Sequence, residues 1–145
     1  MQLDLGGTDI AHVIQLAVAP VFLLSGVGVT LTVLTNRLAR IIDRARLLEG
    51  RAAGEDTPRL HQELNTLSRR AQLIHRSITL SVMCALLICV VIAALFLASL
   101  LDRDLSWLIA LAFIVAMLAF TGALVTFLRE IFLATASLRF GPPAP

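Results

Sequence analysis

At 145 residues, with 58% hydrophobic residues, a mean hydropathy of +0.88 and 15% charged side chains, the chain is too apolar for an ordinary soluble domain. A membrane protein is the expectation. The formal charge of +2 and pI near 9.0 would point weakly to nucleic acid in a soluble protein, but membrane topology accounts for the arginine excess here, and no nucleic-acid partner is expected.

Residues 1–9 carry acidic Asp4 and Asp9 and no Arg or Lys. Residues 10–36 then lack any formally charged side chain, which exceeds the roughly 20 residues a helix needs to cross a hydrocarbon core. This first transmembrane helix is longer than a signal-peptide core and no basic residue precedes it, so it is expected to be retained. The stretch "LTVLTNRLARIIDRARLLEG" (31–50) leaves the membrane without a break, since no Pro occurs between Pro20 and Pro58 and no Gly between Gly28 and Gly50. Its helix should run to about Glu49. "GRAAGED" (50–56) makes the turn, Thr57 offers an N-cap oxygen, and Pro58 suits the first position of the next helix.

Residues 37–76 thus read as a helical hairpin with its turn at 50–57. In the return strand of that hairpin, Leu60, Leu64, Leu67, Ala71, Ile74 and Ile78 follow the 4-3-4-3-4 rhythm of a coiled coil. Leu38, Ile41 or Ile42, Ala45 and Leu48 answer it on the outgoing helix, and a helical plot groups Leu34, Leu38, Ile42 and Ala45 on the face turned to the partner. Two amphipathic helices lying on the membrane surface are the competing arrangement, disfavoured because the apolar seams are narrow.

Residues 77–101 form the second apolar run, 102–105 a short external turn, and 106–128 the third span, with Trp107 placed for the interface. On that third span Ala112, Ala116, Ala119 and Ala123 make a small-residue seam that suits close helix packing. Cys84 and Cys89, five residues apart on one helix, cannot pair with each other and read as packing residues. Residues 129–145 form a tail that stays helical to about Leu138 before "GPPAP".

All twelve basic residues are arginine, and nine of them (Arg37 through Arg76) lie in the hairpin. Because basic residues in short loops resist translocation, the hairpin is expected in the cytoplasm, the N-terminus outside, and the tail with Arg129 and Arg139 inside. The fold class is therefore an all-α integral membrane protein with three transmembrane helices, the first two extended into a cytoplasmic antiparallel helical hairpin, N-out and C-in.

No nucleophile–base pair, paired carboxylates, phosphate-binding glycine loop or clustered metal ligands are recognisable, so neither an enzyme nor a cofactor or metal site is expected. His12, His61 and His75 are scattered. What stands out is polar: at 100° per residue Gly28, Thr32, Asn36 and Asp43 all fall within about 60° of Ser25 on the first helix. Such a stripe needs burial, either as a close helix contact or, around an axis, as the lining of a pathway whose mouth carries arginines and favours anions. Arg37, Arg40 and Arg44 share a face, while Asp43, Arg46 and Glu49 are spaced for a carboxylate–guanidinium ladder. Arg69 and Arg76, with Gln62, Asn65 and Gln72 on the same side, offer a second polar face for an inter-helix network.

"APVFLLSG" (19–26), "NRLARIIDRAR" (36–46) and "SRRAQLIHRSI" (68–78) resemble the pattern of a bacterial family of small three-span inner-membrane proteins known only as a domain of unknown function. The resemblance covers nearly the whole chain and implies an α-helical protein of the bacterial inner membrane; it brings no activity, ligand or catalytic residue with it. The functional expectation is a homo-oligomer, channel-like or gate-like, with the first helix near the axis and a basic cytoplasmic mouth. A structural or adaptor protein whose basic hairpin binds an unidentified cytoplasmic partner or anionic lipid is the alternative.

Overall fold

Three long, largely apolar runs produce three long helices in the computed structural model, which describes residues 5–52, 58–101 and 104–136. Helix α1 spans Leu5–Ala52, α2 Pro58–Leu101 and α3 Ser106–Ala136. Each contains a stretch long and apolar enough to cross a membrane, and among the described residues there is no strand. The molecule is an all-helical, multi-pass membrane protein by length and composition. Within the expected turns, 53–57 and 102–103 lie outside the described residues, as do 1–4 and 137–145.

Helix α1 continues through Pro20, whose ring is accommodated in a buried position. Helix α2 begins at Pro58, a residue whose missing N–H and fixed φ suit a first helical turn. At the start of α3, the carbonyl of Leu105 accepts the Ile109 N–H at 3.1 Å, and the Asp104 carboxylate accepts the Ser106 N–H at 3.1 Å. Several threonine hydroxyls along the apolar helices are satisfied locally. Thr30, Thr35 and Thr121 donate to the carbonyls of Gly26, Leu31 and Met117, each four residues back. That is how threonine resides in a lipid-facing helix without a partner chain.

The described chain divides into two compact units, one of residues 1–30 and 81–121, the other of residues 31–80 and 122–145. In the first, Ala17, Val27, Cys84, Ile88, Val91 and Ala116 are buried, while Phe22, Leu100 and Leu118 are exposed. An apolar outer surface is what a hydrocarbon solvent requires. The Ser81 hydroxyl is fully buried there without a protein hydrogen-bond partner. Ala112 and Ala119 of the expected small-residue seam are half-buried beside Ala116.

In the second unit Leu34, Ile41, Leu67 and Ile74 form the core, with Leu38, Ala45, Leu48, Ala71, Ile78 and Phe127 packed against it. Here the choice between neighbouring isoleucines is corrected: Ile41 is buried, whereas Ile42, which the helical plot had placed on the inward face, is 41% exposed. The reason is periodicity. Helices that pack at a small angle repeat their contacts every seven residues, and seven from Leu34 is Ile41. Leu67 and Ile74 on α2 keep the same step.

Two outcomes follow from this packing. Ile41→Ala should destabilise the purified protein by about 2–4 kcal/mol and Ile42→Ala by under ~1 kcal/mol, read from detergent-solubilised unfolding curves. At Asp104, hydrogen bonds from the Ser106 side chain and then its backbone hold the carboxyl below the usual carboxylate range. A depressed folded-state value stabilises above the unfolded value and is lost as pH falls through the folded one, so the protection of the Ser106–Ile109 amides, taken relative to their intrinsic exchange rate at each pH, should fall with acidification below the ordinary Asp range. Asp104→Asn should blunt that dependence.

Candidate functional site: a buried carboxylate between arginines

The site is built from three helices of the second unit. On α3, Ala123 is buried and the position seven residues on is Glu130, which has no exposed surface at all. A carboxylate in that position requires cationic partners, because isolated burial of a charge is strongly unfavourable. Arg37 of α1 donates from Nη1 to Glu130 Oε2 at 2.6 Å. Arg70 of α2 donates to the other oxygen, Oε1, from Nε at 3.1 Å and from Nη2 at 2.9 Å. Both carboxylate oxygens are thereby engaged by guanidinium groups from two different helices.

Arginine suits this position better than lysine. Its planar fork presents several donors in fixed directions, so one edge can grip the carboxylate while the rest of the group does something else. Arg37 also lies with its Cζ 5.3 Å from the Phe127 ring centroid, one turn before Glu130, so the same α3 face supplies a carboxylate and an aromatic platform. The side chain of Arg37 keeps 38% of its surface exposed and that of Arg70 23%, against none for Glu130. The carboxylate is sealed and the cations reach outward.

Farther along the same two helices, Arg44 of α1 donates from Nε and Nη2 to Glu63 Oε1 of α2, at 3.2 and 2.7 Å. This second inter-helix pair is substantially exposed and stabilises little by itself. Between the two ionic links lies a cleft of about 240 Å³, lined by Arg37, Arg40, Arg44, Arg70 and Glu130 over an apolar side of Ile41 and Leu67.

The remaining sequence-derived residues are placed as follows. Ser25, Gly28, Thr32 and Asn36 all lie on the exposed side of α1. Arg40, Asp43, Arg46 and Glu49 are likewise exposed, and no ion pair among them is recorded among the described residues. Arg69 and Arg76 line a separate cleft of about 240 Å³ with Gln72, Leu73 and Leu133. Of the expected basic residues, the structure brings Arg37, Arg40 and Arg44 together at one cleft and leaves Arg46, Arg69 and Arg76 off it. Among the described residues no three His, Cys, Asp or Glu side chains come close enough to share a metal ion.

Two central residues, Glu130 and Arg70, were not among the sequence-derived candidates. For Glu130 a signal existed: it is the only carboxylate after Asp104, and it continues the spacing of Ala116 and Ala123 by another seven residues. For Arg70 the adjacent Arg69 has a similar local sequence, and only the helix phase distinguishes the half-buried residue from the exposed one.

Removing the shared carboxylate leaves two neighbouring guanidinium groups facing a dry position. Glu130→Ala should therefore destabilise by about 3–5 kcal/mol, whereas replacing all three partners together (Arg37→Met, Arg70→Met, Glu130→Leu) should recover most of that loss. Unfolding of the purified variants in one detergent checks both; a triple variant as unstable as the single one would contradict the account.

Comparison with known proteins places the chain without giving it an activity. No curated protein and no solved structure matches it. A family model described as "Protein of unknown function (DUF2721)" matches residues 17–140, which encompass all three helices' packed faces and the whole Arg37–Glu130–Arg70 site, and the chain belongs to that family.

Proposed function

We propose that the protein works as a homo-oligomeric assembly of the bacterial inner membrane, gate-like, with α1 at the contact between copies and the arginine-bearing ends of α1 and α2 in the cytoplasm. The observation that carries this reading is the exposure of Ser25, Gly28, Thr32 and Asn36 on a helix long and apolar enough to span a membrane. Lipid offers little to the Asn36 amide and to the side-chain-free surface at Gly28, and a second helix can pack closely against both. A Cβ built on Gly28 would meet nothing within 4 Å, so the backbone is bare at that point of the stripe and a neighbouring helix can approach closely.

The arginine distribution supports the orientation through the positive-inside bias. It also gives the proposed assembly its electrostatic character. Arg40 and Arg44 are exposed where the polar face of α1 continues past Asn36, and a ring of such groups around an axis would oppose cations and admit anions. Under this reading Glu130 holds α1, α2 and α3 in one register at the mouth, so that the arginines of each copy present the same geometry to the axis.

A second reading has one observation in its favour: the exposed cleft lined by Arg69 and Arg76, which could dock an acidic cytoplasmic partner away from the α1 face. It predicts an adaptor in which the membrane helices serve as an anchor.

Cysteine cross-linking separates the two. In a Cys84→Ala, Cys89→Ala background, Thr32→Cys and Asn36→Cys should form disulfide-linked dimers in native membranes, while Val90→Cys and Leu118→Cys, exposed on α2 and α3, should not. Equal cross-linking at all four positions, or none at any, removes α1 from the contact. Conduction is tested by anion flux and current in protein-containing liposomes; silence under every voltage and tension applied would reject the gate while leaving the oligomer standing.

A further inference from the structure

The cleft beside Glu130 carries a charge excess that the protein's own carboxylates do not neutralise. Four arginines line it, Glu130 answers one of them, and Glu63 pairs with Arg44 from the side, which leaves two positive charges. Arg40 is exposed and makes no ion pair among the described residues. Arg37 uses only Nη1 on Glu130, and Arg70 only Nε and Nη2, so Arg37 Nε and Nη2 and Arg70 Nη1 remain as donors. The carboxylate thus fixes two guanidinium forks in place and consumes part of each.

We propose that this cleft, formed within a single chain by Arg37, Arg40, Arg44 and Arg70 and organised by Glu130, binds a phosphate group. Three features select that chemistry. Four arginines line one cleft with guanidinium N–H groups to spare, which suits a multi-oxygen anion able to accept several hydrogen bonds, and a monatomic ion would leave most of the donors unused. The volume of about 240 Å³ accommodates a phosphate with a substituent. Ile41 and Leu67 give the cleft an apolar side against which that substituent can rest. Arg37, moreover, is the first charged residue after the apolar run of α1, the level at which lipid phosphates meet protein.

Glu130 is in this account a positioning residue. It prevents Arg37 and Arg70 from turning away into water and lowers their mutual repulsion enough for both to remain beside the cleft. The proposal is independent of oligomerisation, because every group named belongs to one chain.

The ligand has two possible sources, a lipid headgroup and a soluble phosphate, and one experiment separates them. The full-length protein is reconstituted in phosphatidylcholine nanodiscs in phosphate-free buffer, and its melting temperature is followed as inorganic phosphate replaces chloride at constant ionic strength. A parallel series replaces part of the phosphatidylcholine with phosphatidic acid. A saturable rise in the first series assigns a soluble phosphate, and a rise confined to the second assigns a headgroup; either supports the site. Arg40→Gln, which removes no intramolecular ion pair, should weaken the apparent affinity roughly tenfold, the scale of one charge-assisted hydrogen bond. Arg46→Gln and Arg69→Gln change the net charge equally but lie off the cleft, and should stay within about twofold of wild type. The proposal is overturned if neither phosphate nor phosphatidic acid raises the melting temperature above the chloride or phosphatidylcholine control. It is equally overturned if Arg40→Gln binds like wild type, or if the off-cleft variants lose as much as Arg40→Gln.

Discussion

Glu130 is the point at which the three helices are tied together by a directional interaction. Arg37 comes from α1, Arg70 from α2 and the carboxylate from α3, with distances of 2.6 to 3.1 Å and no exposed carboxylate surface. The constraint is severe because of where the chain resides. Helices in a hydrocarbon solvent gain little from burying leucine against leucine, so apolar packing sets their separation without strongly selecting their register. A carboxylate that must meet two guanidinium groups does select it: sliding one helix by a single turn, about 5.4 Å, would pull a guanidinium away from the sealed Glu130 carboxylate.

The packing around that point follows a seven-residue step. Leu34 and Ile41, Leu67 and Ile74, and Ala123 and Glu130 are each seven apart and each buried. Two helices contribute bulky aliphatic groups at these places, and the third contributes a methyl followed by a carboxylate. The small Ala123 lets α3 approach, and the longer Glu130 then reaches the arginines that the close approach brings near. Ser77, buried on α2, directs its hydroxyl to the Leu73 carbonyl at 3.1 Å and so enters the core without needing a cross-helix partner. The polar content of the core among the described residues is thus Ser77, satisfied within its own helix, the Ser81 hydroxyl, which has no protein partner, and one ionic cluster satisfied between helices.

The two proposals concern two different surfaces. One is the polar and glycine-bearing face of α1, which the single chain leaves uncovered and which underlies the proposed oligomer. The other is the arginine cleft, which the single chain completes alone. They meet on α1, where neighbouring residues serve different faces: Asn36 lies outward, Arg37 reaches Glu130, and Arg40 is at the cleft and exposed.

Much of the architecture was legible in the sequence because it depends on local chemistry. The three long helices follow from apolar length and from the positions of proline and glycine, the start of α2 from Pro58, and the seam residues Leu38, Ala45, Leu67, Ala71 and Ile74 from their spacing. Those features need only the periodicity of one helix. What depended on a second or third helix was not determined that way. Ile41 and Ile42 are chemically identical neighbours, and only the angle at which α2 meets α1 decides which is covered; Arg69 and Arg70 pose the same problem on α2. Glu130, read alone, sits beyond the third apolar run as one charge in a tail, and its role exists only because Arg37, 93 residues earlier, and Arg70, 60 residues earlier, arrive beside it. Hydropathy and helical phase are properties of a segment and can be read along the chain. The pairing of a buried charge is a property of the space between segments, and tertiary structure alone decided it.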